Sequence, residues 1–78
     1  MHKGPSEQLH AILTGQSPWE DAPEAIQSWA RLYVYQAAAG IVAMETVEDR
    51  RGGIAKLPDF VRHRVETEIK RIWPLLRN

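Results

Sequence analysis

Apolar residues recur every three or four positions along most of this chain, the spacing of helices rather than of strands. In SEQLHAILTG, residues 6–15, Leu9, Ile12 and Leu13 fall on one side of a helix. Ser6 is a suitable N-cap and Gly15 a suitable residue to end it. At this length the helix needs packing to be stable. In SPWE, Ser17, Pro18 and Glu20 have the spacing of a capping box with proline at the first helical position. Pro23 follows five residues later, which leaves either a single turn at 18–22 or a helix capped by Asp21.

Both alternatives lead into a long helical segment from about residue 23 to 51. Ile26, Trp29, Ala30, Tyr33, Ala37, Gly40, Ile41, Met44 and Val47 keep the helical spacing, while Leu32, Val34, Ala38 and Val42 occupy other sides. The middle, LYVYQAAAGIVAM at 32–44, holds one strongly polar residue, Gln36. Tyr and Val at 33–35 favour a strand, but the alanine run that follows and the lack of turn residues favour helix. Such a helix would be about 43 Å long at 1.5 Å per residue. A domain of this size is only about 30 Å across. Either the helix breaks near Gly40 or another chain covers what overhangs, and the second is the expectation. Gly40 costs a helix about 1 kcal/mol relative to alanine. Close approach of another backbone would compensate.

RGGIAKLP at 51–58 reads as a flexible turn. Pro58 and Asp59 then open a last helix with the stripe Val61, Val65, Ile69, Ile72, Trp73 and Leu76. Pro74 is expected to kink or end it, leaving residues 75–78 as a tail. The pattern therefore predicts an all-α fold: one domain over residues 1–78, an antiparallel three-helix bundle of short, long central and medium helices. The three tryptophans are expected in the core, with Trp19, beside Pro18, the exception.

The 78 residues carry zero net charge, unevenly placed. Residues 1–49 hold two basic and seven acidic side chains, residues 50–78 eight basic and three acidic. Either the halves neutralise one another or they form a two-signed surface that orients a partner. The chain has no cysteine, which excludes disulfides and thiolate zinc sites. The first ten residues lack the apolar core of a signal peptide, and no run reaches the ~20 apolar residues of a spanning helix. A soluble, cytoplasmic protein without membrane contact is expected.

Glu7 with His10, Glu45 with Glu48, and His63 with Glu66 sit at i, i+3 spacing, as in di-metal bundles. They lie on polar faces, so solvated side chains are expected, with no metal and no cofactor. None of the serines or threonines stands in a nucleophile elbow, and RGGIAK lacks the spacing of a phosphate loop. An enzyme is not expected.

What remains is binding. Arg62, Arg64, Lys70, Arg71 and Trp19 are the expected contacts to a protein partner, with the arginines solvent-exposed. An ion pair of Arg62 with Glu66 is expected along the last helix. Tyr33, Ala37, Gly40, Ile41 and Met44 are the expected homodimer interface. The role expected is a small subunit, adaptor or inhibitor docking on a larger protein, of the kind bacteria or phages encode. The alternative is a nucleic-acid-associated regulator, with residues 46–69 laid onto a helix-turn-helix and 59–73 as its reading helix. Glu66 and Glu68 interrupt that face and argue against it.

Overall fold

The long apolar segment is divided just past Gly40, as one of the two alternatives expected: helix stops at Val42 and resumes after Thr46. In the computed structural model, which describes residues 4–77, α1 spans Pro5–Leu13 and a 3-10 turn spans Trp19–Asp21. Three further helices follow: α2 at Glu24–Val42, α3 at Val47–Ala55 and α4 at Asp59–Leu76. Every element among the described residues is helical, so the all-α expectation holds, with four α-helices in place of three. The Thr46 hydroxyl accepts from the Asp49 backbone N–H at 3.0 Å and starts α3. The 23–51 helix is therefore two helices, and α2 does not overhang as one rod of that length.

The chain divides into two compact units, Met1–Tyr33 and Val34–Asn78, with the division inside α2. In the first, Ala11, Ile12 and Leu13 of α1 and Ile26 and Ala30 of α2 are buried. The end of α1 explains its direction change. Gly15 adopts φ +82°, the Gln16 N–H donates to the Ala11 carbonyl at 2.9 Å, and the Gly15 N–H to that of Ile12 at 3.3 Å. This is the Schellman arrangement, which fits glycine because a side chain is strained at that φ. At its start Gly4 is the N-cap and Pro5 the first helical residue, so Ser6 lies inside the helix. The capping box at 17–20 does not form: Pro18 caps the turn without a side-chain bond. Instead the Trp19 indole N–H donates to the Ile12 carbonyl at 2.9 Å, tying the turn to α1.

In the second unit Val34, Ala38, Ile41 and Val42 of α2 are buried, as are Val61, Val65 and Ile72 of α4. Tyr35 lies within electrostatic range of Arg71. Farther along, Ala39, Val42 and Ala43 line one groove with Trp73, Leu76 and Arg77. This part of α2 thus packs against α4. RGGIA, expected as a turn, is the second half of α3. A Cβ at Gly53 would stand 3.0 Å from the Met44 methyl and 3.2 Å from Ile41 Cγ1, so the glycine lets α2's end pack against α3. Gly40 has nothing within 4 Å of its Cβ position, which corrects the expected close backbone approach within the chain.

α4 continues through Pro74 to Leu76. The proline falls in the last turn, where only one intrahelical donor is lost. The Arg77 N–H still donates to the Trp73 carbonyl at 2.8 Å, so residues 75 and 76 are helical; Asn78 of the expected tail lies outside the described residues.

Candidate interaction surfaces

The expected basic docking residues separate into different roles. Arg62 is tied into the fold. Its guanidinium donates to the carbonyls of Ile54 at 3.3 Å, Ala55 at 3.3 Å and Leu57 at 2.8 Å. The Ile54 carbonyl also accepts from the Leu57 N–H at 3.1 Å, while those of Ala55, the last residue of α3, and of Leu57, just past it, take their donors from Arg62. It also pairs with Asp59 at 2.7 Å, not with Glu66, and its side chain is 34% exposed. The expectation of an exposed Arg62 paired with Glu66 is thus corrected: the residue reaches from α4 to the carbonyls at the end of α3. Arg64 and Lys70 are exposed. Arg71 is exposed and bidentate to Glu68, at 2.7 and 2.8 Å. That hydrogen bond, reinforced by charge attraction and opposed by desolvation, lowers the Glu68 pKa and raises that of Arg71. Trp19 is half-buried, with its indole N–H engaged as described.

The expected dimer residues also separate. Tyr33 and Gly40 are exposed, Ala37 and Met44 half-buried, and Ile41 is part of the core. Ile41 is therefore not on the surface, and Met44 is occupied against Gly53. The expected stripe is split: Ile26, Ala30 and Ile41 are buried as expected, but together with Val34, Ala38 and Val42 from the sides next to them, while Tyr33 and Gly40 are exposed and Trp29 and Leu32 are each 51% exposed. Trp29, expected in the core, is thus outside it.

What this leaves outward on the first unit's part of α2 is a triplet, Trp29, Leu32 and Tyr33, at i, i+3, i+4. Gln36, Gly40 and Ala43, all exposed, continue the same helical spacing. Between Ala25 and Met44 the only charged residue is Arg31, which is bonded back to Glu24 and Ser28, each at 3.2 Å. Elsewhere Val47, Phe60, Leu75 and Leu76 are also exposed.

Among the described residues no group of three or more His, Asp or Glu side chains converges as a metal site would require. Glu7 and His10 line an open groove with Ser6, Ala11 and Gln16. No helix among them is long and apolar enough to cross a membrane. No protein-family model, no curated protein and no solved structure matches this chain.

Proposed function

We propose that the protein is a non-catalytic interaction module that associates through the outward side of α2, with a second copy of itself as the occupant. The observation that carries this is the exposed Trp29–Leu32–Tyr33 triplet on a helix side without charge. An aromatic-rich patch left in water is unfavourable at roughly 25 cal/mol per Å² of apolar surface. Tryptophan and tyrosine are the side chains that most often anchor interfaces. Two copies of this side bring no like charges together, so it is self-complementary in a two-fold dimer.

The test is sedimentation velocity on the wild type and on Leu32→Arg across micromolar concentrations. The wild type is expected to show a concentration-dependent dimer that persists in high salt, because the surface is apolar. Leu32→Arg should give monomer with its helicity intact. A wild type that sediments as a monomer at every concentration would end the proposal.

A further inference from the structure

Arg50 and Arg77 converge on one aromatic ring and one carbonyl. Their guanidinium carbons lie 5.1 Å and 5.5 Å from the centroid of the Trp73 ring. Both Nη1 atoms donate to the Met44 carbonyl oxygen, at 2.8 Å from Arg50 and 2.9 Å from Arg77. The two nitrogens therefore stand no farther apart than the sum of those distances. Arg77 Nη1 also donates to the Val42 carbonyl at 3.0 Å.

This places two positive charges side by side. Among the described residues neither has a carboxylate within ion-pair distance, whereas Arg31, Arg62 and Arg71 each have one. The carbonyls at the end of α2 offset part of the charge, equivalent to about half an elementary charge for a helix terminus. A net positive charge remains. The Nε and Nη2 atoms of both arginines donate to no protein acceptor among the described residues. A guanidinium presents such donors as a fork that matches a carboxylate or phosphate.

The surroundings select between those anions. Beside the cluster runs a groove lined by Ala39, Val42, Ala43, Trp73, Leu76 and Arg77, apolar apart from the arginine. Glu45, Glu48 and Asp49, all exposed, flank Met44 and Arg50 in the chain. They would repel a polyanionic strand, while a single carboxylate with an apolar neighbour fits both the fork and the groove. Stacking of both arginines on Trp73 holds the donors in place before a ligand arrives, which lowers the ordering cost of binding.

We propose that Arg50, Trp73 and Arg77 form a carboxylate-binding site for a partner peptide in which an acidic side chain is flanked by apolar ones. The proposal rests on the protein having a protein partner, but not on the Trp29–Leu32–Tyr33 triplet that carries the dimer reading, so the two can fail separately.

The experiment is an NMR titration of the full chain with acetyl-Leu-Glu-Leu-amide, acetyl-Leu-Gln-Leu-amide, inorganic phosphate and a mixed-sequence single-stranded oligonucleotide. The Trp73 indole N–H and the arginine Nε–H signals report the site. The glutamate peptide should shift them saturably, with the glutamine peptide at least about tenfold weaker, and Arg77→Gln should cost a similar factor. Arg77→Lys, which keeps the charge but loses the fork, should fall between. If Arg77→Gln unfolds, the contrast between the two peptides on the wild type still decides. Equal responses to both peptides, or no saturable response, would overturn the site. So would tighter binding of phosphate or the oligonucleotide, which would favour a nucleic-acid ligand instead. None of these readouts involves Trp29 or Leu32, so a monomeric protein with a working site remains distinguishable.

Discussion

Arg62 and Arg71 stand nine positions apart on the same helix, yet they should respond to mutation to different degrees. Arg62 satisfies three backbone carbonyls and pairs with Asp59. Arg62→Ala would leave the Ala55 and Leu57 carbonyls to water or unpaired and should cost roughly 1–3 kcal/mol, read as a lower urea midpoint. Arg71→Ala removes a pair whose arginine is exposed but whose Glu68 side chain is only 18% exposed, and should lower that midpoint less than Arg62→Ala does. Glu68, the partner of Arg71, supplies a pH dependence. Its folded-state pKa lies below the usual 4.5 because the hydrogen bond from Arg71 favours the carboxylate. A depressed carboxylate pKa adds stability above the unfolded pKa, and that stability is lost as pH falls through the lower folded value. Wild type should therefore lose slightly more stability than Glu68→Gln when the pH is lowered from 6 through the region below 4.5, as followed by thermal unfolding. Equal losses would show that the bond does not persist in solution.

At the scale of elements, α3 is the weak link, with two glycines inside nine residues and no fully buried side chain. Gly52→Ala meets nothing within 4 Å and should stabilise the protein by up to about 1 kcal/mol. Gly53→Ala gains the same helix preference but presses on Met44 and the buried Ile41, so it should rank clearly below Gly52→Ala in thermal midpoint. The helices themselves were legible in the sequence because their periodicity is local: α1 and α4 lie close to where the Leu9–Ile12–Leu13 and Val61–Val65–Ile72 spacings put them. Thr46, three residues before Asp49, was a readable start signal that the surrounding apolar pattern obscured. The inward side of α2 was legible only in part, at Ile26, Ala30 and Ile41. The segment is apolar nearly all round, and its packed side uses small residues, Ala30 and Ala38, where hydrophobicity alone favours Trp29 and Leu32. The Arg50–Trp73–Arg77 cluster was hidden too, since Arg50 stands 23 positions before Trp73 and shares no spacing rule with the i, i+4 pair Trp73 and Arg77.

At the scale of the whole molecule, the two proposed surfaces should answer to salt in opposite ways. Association through α2 is apolar and should persist as ionic strength rises, while carboxylate capture by Arg50 and Arg77 should weaken over the same range. One salt series, read by sedimentation and by the Trp73 signal, separates them. The Arg62 contacts described above carry a further consequence, for the order in which the chain acquires structure. The backbone completes the carbonyl end of α3 only in part, the Leu57 N–H donating to the Ile54 carbonyl, and the remaining donors come from a residue of the next helix only five to eight positions downstream. Such a short separation closes quickly once both segments exist. During synthesis, however, the glycine-rich α3 leaves the ribosome before the side chain that finishes it. Its helicity should therefore appear in growing chains only when Arg62 has emerged, making residues 46–62 one event in folding rather than two.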